Sequence, residues 1–507
     1  MTDSLYALIA SRFPAERTRT VIETAEGRRY AYADLETTTA RYARLFARLG
    51  AKPGDRLAAQ VAKSPEAVFL YLAALRAGLA YLPLNTAYPA AEVAYFLADA
   101  EPAIVVCDPA VEAETTALAA AAGVRRVLTL DAAGEGTLAA ESAGLDPDFA
   151  PLSRAADDLA AILYTSGTTG RSKGAMLSHG NLASNALTLH AAWGFEPADV
   201  LLHALPIFHT HGLFVAIHCV LLNGTAMLFL PRFDAAEVVR LLPRASVLMG
   251  VPTHYVRLLG RPELDREACR AMRLFISGSA PLRLDTFERF RERTGHTILE
   301  RYGMTECGMI TSNPLHGRRV AGSVGPPLPG VEARVATPEG ILLPTGEVGI
   351  LEVRGPNVFK GYWRNPEKTR EEFRGDGFFI TGDLARIDEA GYVWIVGRAK
   401  DLVISGGYNV YPKEVERVID AIGGIAESAV IGLAHPDFGE AVTAVVVPAA
   451  GGEAVDEAAV IARVKEALAN YKVPKRVFFV DALPRNAMGK VQKQALRERF
   501  ADTYADT

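Results

Sequence analysis

Eleven consecutive residues, Tyr164-Thr-Ser-Gly-Thr-Thr-Gly-Arg-Ser-Lys-Gly174, gather six hydroxyls and two cations around three glycines. Glycine lets a backbone turn sharply and approach an anion closely. Thr165, Ser166, Gly167, Thr168, Thr169, Gly170 and Lys173 are therefore candidates to hold a polyphosphate. A P-loop needs its Gly-Lys pair to be followed by Ser or Thr. Here Arg171 follows Gly170 and Gly174 follows Lys173, which disfavours a kinase or ATPase of that type. The apolar residues 159–163 just before the run read as a buried strand. The plain alternative is a polar Ser/Gly linker.

Positioning such a loop takes a substantial scaffold. A chain of 507 residues exceeds what one core supports, so two or more domains are expected. Half of the residues are hydrophobic, ample for burial and contrary to disorder. A net charge of −5, from 54 basic and 59 acidic residues, gives no global field for nucleic acid or membrane. Cys107, Cys219, Cys269 and Cys307 lack any CxxC spacing and fit reduced cytosolic thiols. No signal pattern opens the chain, and His218, Asn223, Gly224 and Thr225 interrupt its most apolar stretch. A cytoplasmic protein without membrane spans is expected.

Apolar runs at 56–61, 103–107, 126–130, 160–165, 200–205, 227–230, 246–250 and 273–277 read as strands, most of them separated by helical segments. Ser64-Pro65-Glu66 opens one helix and Gly78 closes it, in the cap, first-turn proline and glycine-stop order. Layered α/β sheets with parallel pairing follow. Short β pieces at 333–336, 349–353 and 392–396 among Gly and Pro turns suggest a β-rich subdomain over about 330–397. Helices at 412–422 and 456–470 around strands at 429–432 and 442–447 make the tail α+β, small but viable as a domain. The expected fold is α/β: a large N-terminal domain, residues 1–397, and a small mobile C-terminal domain, residues 398–507. The stretch 111–143 reads as a variable-looking, ordered surface region.

Five further segments share the order of this scaffold: Ser277-Gly-Ser-Ala-Pro281, Glu300-Arg-Tyr-Gly-Met-Thr-Glu306, Thr381-Gly-Asp383, Gly397-Arg-Ala-Lys-Asp401 and Pro484-Arg-Asn-Ala-Met-Gly-Lys490. With the 164–174 loop, their order and spacing resemble the adenylate-forming superfamily of acyl-CoA synthetases, peptide-synthetase adenylation domains and luciferases. The resemblance spans about residues 20–500. Pro206-Ile-Phe-His-Thr-His-Gly-Leu-Phe214 and Gly250-Val-Pro-Thr-His-Tyr-Val-Arg257 make the chain most similar to malonyl-CoA synthetases. The resemblance implies a two-step, AMP-forming acid–thiol ligation with ATP, Mg²⁺ and CoA. A carboxylate attacks the α-phosphorus of ATP, and a thiol then displaces AMP from the acyl adenylate. Carboxylate and triphosphate repel each other, so the first step depends on charge neutralisation and alignment.

The resemblance also implies roles. Glu306 would bind Mg²⁺, since a hard ion bridging phosphates takes one or two carboxylates, and Thr305 the α-phosphate. Gly278, Ser279, Ala280, Glu300, Tyr302 and Gly303 would surround the nucleotide, with Tyr302 stacking on adenine. Asp383, expected on a turn after a strand at 378–380, would accept the ribose hydroxyls beside Arg398. By residue type alone Asp383 fits a turn cap equally well. Lys490 would bridge the substrate carboxylate and the α-phosphate, while its neighbour Lys493 reads as solvated. Lys400 would be the hinge that exchanges Lys490 for Ser405, Gly406 and Gly407 at a pantetheine arm.

A dicarboxylate brings a second charge into the acyl pocket, where it needs a fixed cation, preferably arginine. Arg301 and Arg257 are the candidates. His209 would gate the pocket, His211 would be structural, and Thr210 and Met309 would bound the malonate methylene, with methylmalonate tolerated. Alternatives are an oxalate, short-chain or coumarate ligase, transfer to a carrier-protein thiol, or a nucleotide-binding protein with a dead site. Small-molecule partners and a monomer or weak homo-oligomer are expected.

Overall fold

The computed structural model describes residues 4–165, 172–406, 408–451, 454–486 and 489–504. Contacts divide the chain into two compact units, Met1–Glu332 with Val353–Phe379, and Ala333–Glu352 with Ile380–Thr507.

Two sheets build the first unit. In the six-stranded sheet the order is Arg126–Thr129, Ile104–Cys107, Arg56–Gln60, Ala80–Pro83, Leu159–Thr165, Lys173–Ser178. All neighbours pair in parallel until the last two strands, which form an antiparallel hairpin with Thr165 opposite Lys173. Lys173 is thus a strand residue and not part of an extended loop. Ser166, Gly167, Thr168, Thr169 and Gly170 lie outside the described residues. In the eight-stranded sheet Gly308–Ser312, Leu299–Met304, Leu274–Ser277, Val247–Gly250, Val200–His203, Ala226–Phe229, Thr20–Thr24 and Arg29–Ala31 follow in that order. From Leu299–Met304 to Thr20–Thr24 the neighbours are parallel. Every position of the Ile104–Cys107, Val247–Gly250 and Leu274–Ser277 strands is buried, as continuous apolar runs in a sheet covered on both faces require.

Ser64 caps the Pro65–Arg76 helix by accepting the Ala67 N–H at 3.1 Å. The 111–143 stretch is ordered as two helices, Glu112–Ala121 and Thr137–Ser142, around the strand Arg126–Thr129.

The second unit holds a four-stranded sheet ordered Glu332–Ala336, Gly349–Arg354, Phe379–Ile387, Val393–Arg398. It also holds a five-stranded sheet centred on the long hairpin Ile425–His435 and Gly439–Pro448. Valines dominate the core beneath the latter, among them Val430, Val442, Val446 and Val460. Asp383 is not on a turn. It lies inside the nine-residue strand Phe379–Ile387, opposite Arg398. Phe379, Leu384 and Ala385, all buried, carry the strand beyond the point where Gly382 suggests a stop. Lys493 is not solvated either: its Nζ lies 2.6 Å from Oε1 of the buried Glu416. No helix among the described residues is long and apolar enough to cross a membrane.

Candidate functional site

Parallel strands present their C-terminal ends to one edge of a sheet, and open α/β sheets bind ligands at that edge. In the eight-stranded sheet this edge carries His203, Gly250, Ser277 and Glu300–Arg301. Residues 278–280 follow directly from Ser277. Ser279 adopts φ +70°, a left-handed conformation that costs a non-glycine residue energy and marks functional turns. Its Oγ lies 3.3 Å from His211 Nδ1.

Arg301 dominates the electrostatics of this edge. It is 2 % exposed, and its Nε and Nη2 have no hydrogen-bond partner. The guanidinium lies flat against Gly278, where an added Cβ would come within 2.5 Å of Nη1. Burial pulls its pKa down to about 9, with only the nearby Tyr255 opposing. Buried charges are normally paired, so this fork is arranged for an anion that the described residues do not supply. Arg257 differs: it is exposed on the Pro252–Leu259 helix.

Thr210 and Thr305 line one cavity of about 10 Å³ together with Asn185 and Gly308. The Thr210 hydroxyl is buried without a partner. Asn185 clamps Met309, accepting its N–H at 3.0 Å and donating to its carbonyl at 2.9 Å. His211 is buried and held well below its ordinary pKa by desolvation first and by Arg301 second. His209, half-buried, stacks at a tilt on Phe208.

A second cluster surrounds the 165–173 hairpin. Thr165 Oγ1 donates to Glu306 Oε1 at 3.4 Å, and Tyr362 Oη donates to the same oxygen at 3.2 Å. Tyr362 Oη lies closer still to Glu372 Oε2, at 2.5 Å, so its one proton is shared between two carboxylates, and Glu372 Oε1 pairs with Lys173 Nζ at 3.1 Å. Lys173 further lies 4.6 Å from the Tyr362 ring centroid. Neither Tyr362 nor Glu372 belongs to any motif read from the sequence, and no spacing signal marks them. Glu300 turns inward, its Oε1 accepting the Leu282 N–H at 3.2 Å. Tyr302 is half-buried on its strand, one residue before Gly303, where an added Cβ would meet the Gly308 carbonyl.

In the second unit Asp383, 3 % exposed, pairs its Oδ1 with Arg398 Nε at 3.0 Å. Lys400 is exposed on a short 3₁₀ turn, next to an Asp401–Arg497 ion pair of 2.8 Å. Ser405 is buried and Gly406 takes φ +58°; Gly407 lies outside the described residues. Lys490 is exposed, and its N–H donates to Asn486 Oδ1 at 3.0 Å.

Glu306 is a hard, buried oxygen donor, and Mg²⁺ needs only one or two such carboxylates beside phosphate oxygens and water. The described residues contain no cluster of three or more His, Cys, Asp or Glu able to hold a metal unaided. That donor set suits an ion that arrives with phosphates.

Residues 9–363 match the AMP-binding enzyme family, and residues 414–490 match the AMP-binding enzyme C-terminal domain. A malonate–CoA ligase of Arabidopsis thaliana is 35 % identical, covering 94 % of this chain and 85 % of its own length. A feruloyl-CoA synthase of an Amycolatopsis species is 37 % identical over 92 % of this chain and 94 % of its own. ATP-bound MatB from Rhodopseudomonas palustris superposes with a TM-score of 0.97 at 58 % identity, covering 99 % of this chain and all of that one. The chain therefore belongs to the AMP-binding enzyme family, the adenylate-forming acyl-CoA synthetases.

Proposed function

We infer that the protein is a malonate–CoA ligase, converting malonate and ATP to malonyl-AMP and pyrophosphate, and then, with CoA, to malonyl-CoA and AMP. The observation that carries the malonate reading is Arg301, a buried guanidinium with two nitrogens unpartnered. A planar fork of this kind matches a carboxylate. The relatives named above include both a malonate and a feruloyl ligase, so family alone does not choose the acid. An aromatic acid would leave Arg301 buried and unpaired at a cost of several kcal/mol. Malonate supplies the missing charge.

The remaining roles follow the chemistry of each group. Lys173 and the 166–170 segment take the β- and γ-phosphates, and Thr305 takes the α-phosphate. Glu306 would hold Mg²⁺, which supplies charge neutralisation on the phosphates when bound. Gly278, Ser279, Ala280, Tyr302 and Gly303 contact the nucleotide base, with Glu300 bracing the turn. Asp383 and Arg398 take the ribose. Lys490 stabilises charge at the attacking carboxylate. Rotation near Lys400, between residues 1–397 and 398–507, brings Ser405, Gly406 and Gly407 to the thiol. His209 gates the pocket, and Thr210 and Met309 limit α-substituents, admitting methylmalonate. Arg257 assists only through long-range charge. The enzyme works in the cytoplasm as a monomer or weak homo-oligomer.

The test is AMP formation with ATP, Mg²⁺ and CoA across malonate, methylmalonate, succinate, acetate, oxalate and coumarate. Malonate giving the highest kcat/KM supports the reading. A preference for acetate or coumarate overturns the substrate and leaves the ligase chemistry intact.

A further inference from the structure

Lys63 follows the Arg56–Gln60 strand and precedes the helix cap Ser64. Its side chain reaches across to the other sheet of the same unit. Nζ lies 2.8 Å from His203 Nδ1 and donates to the His203 carbonyl at 3.0 Å, with the ring of Phe229 4.3 Å away. His203 in turn directs Nε2 to the Gly212 carbonyl at 2.9 Å. The chain is satisfied with Lys63 donating to Nδ1 and Nε2–H donating to Gly212. Gly212 is the second residue of the π-helical segment His211–Ile217, and an added Cβ there would sit 2.0 Å from the Pro206 carbonyl. Just before Gly212 stand His209 and Thr210, both assigned above to the acyl pocket, and His211.

No described carboxylate forms an ion pair with Lys63 or with Arg301. The groups facing Lys63 and its neighbours are His203, His211 and His254 together with Arg257 and Arg301. Burial holds all three imidazoles neutral, His254 at about 3. It also pulls the Lys63 ammonium well below its ordinary value, so its charged form is favoured most when an anionic ligand lies beside it. Elsewhere the fold pairs such charges: buried Asp199 takes Arg273, and buried Glu416 takes both Lys413 and Lys493. The acyl edge combines a lysine and an arginine with neutral imidazoles. An uncompensated positive region of this kind favours whichever ligand brings the most negative charge.

We propose that Lys63 is a specificity-determining residue of the acyl site, its charge favouring acids with a second carboxylate over monocarboxylates. The inference rests on the malonate reading and adds a residue outside every motif of the chain.

The test compares kcat/KM for malonate and for propionate in the full chain, with ATP, Mg²⁺ and CoA, for wild type, Lys63→Gln and Lys63→Arg. Glutamine removes the charge and keeps an N–H donor on a shorter arm. Malonate should fall by roughly 30-fold in Lys63→Gln while propionate stays within about threefold, which a merely structural role would not produce. Lys63→Arg, which keeps the charge, should hold the malonate preference within about fivefold of wild type. Equal losses for both acids, or no loss for malonate, overturn the proposal while malonate remains the preferred acid. A wild type that does not prefer malonate overturns the malonate reading itself. If Lys63→Gln does not fold, Lys63→Arg decides alone: preference kept supports the proposal, and preference lost overturns it.

Discussion

Two charged clusters of the first unit are balanced in opposite ways. Around the 165–173 hairpin, Lys173 already has Glu372, Glu306 already has two hydroxyl donors, and Tyr362 ties them together. At the acyl edge Arg301 has no acceptor on two of its nitrogens, and Lys63 has only neutral ones. The difference teaches how each ligand enters. A triphosphate with its cation must displace or share existing pairs, so part of its attraction is spent on exchange. On the proposed assignment, a second carboxylate meets a site that has been desolvated in advance, and gains nearly the whole interaction. The first cluster suits a ligand that every member of the family uses. The second suits discrimination between acids.

The largest effect should come from a cation in neither cluster. Lys490→Ala removes the cation proposed to stand beside the reacting carboxylate and should lower adenylation by about 10³-fold for every acid, the scale of a lost transition-state stabiliser. Thioester formation from preformed malonyl adenylate should persist, since Lys490 is assigned to the first half-reaction only. Pyrophosphate release and single-turnover thioester formation check the two steps separately. Equal losses in both would remove the alternating role of the C-terminal unit.

The contrast between paired and unpaired arginine sharpens next, through stability. Asp199 accepts a bidentate Arg273, the Ser246 hydroxyl at 2.6 Å and the Glu196 N–H at 2.7 Å. Asp199→Ala should destabilise the fold by about 3 kcal/mol, because it leaves those donors and one guanidinium unpaired. Arg301→Met removes a charge that is already unpaired, so it should leave the denaturation midpoint unchanged or raise it. Equilibrium denaturation of both variants checks the pair. Arg301→Met as destabilising as Asp199→Ala would show that Arg301 has a structural partner. The Asp199 contribution is also pH-dependent. Burial alone would raise its pKa, but Arg273 and the other donors overcome this and hold it below the ordinary value. The folded state thus binds its proton less readily than the unfolded one. Its stabilisation is complete above the ordinary aspartate pKa and is lost as pH falls through the depressed one.

Activity separates the same residue in another way. Arg301→Ala should cut kcat/KM for malonate by about 100-fold, the worth of a charged bidentate pair, and spare propionate. Activity on malonate unaffected by this change would place the second carboxylate elsewhere.

Much of this organisation was legible in the sequence, and the reasons are local. Runs such as Ile104–Cys107 and Leu274–Ser277 announce buried strands because every residue in them is apolar or small, and they come within a residue of the expected bounds. The Ser64-Pro65 cap is legible because its chemistry is confined to four residues. The strand Ala80–Pro83 was hidden by its terminal proline, and Lys173–Ser178 by the polar run before it. Asp383 was misplaced because Gly382 reads as a stop, whereas the structure absorbs it at φ +72° inside a strand. Tyr362 and Glu372 could not be found at all: Lys173 and Glu372 are 199 residues apart. Lys63 and His203, 140 residues apart, meet only because two separate sheets bring their strand ends together. Motifs record chemistry that one segment can hold, and pairing across sheets leaves no such record.

The smallest effect tests the hairpin side of the comparison. If Glu372 is a carboxylate that the phosphates must displace from Lys173, then Glu372→Gln should weaken that competition without removing the Tyr362 hydrogen bond. The KM for ATP should fall by about two- to threefold, as expected for an ion pair of modest exposure, with kcat and the malonate KM unchanged. A rise in the ATP KM would mean that Glu372 instead aims the ammonium, and that the pair is preorganised for phosphate. Either sign is measurable in one ATP titration at saturating malonate. Only the first keeps the two clusters distinct, one held closed by exchangeable pairs and the other left open for charge.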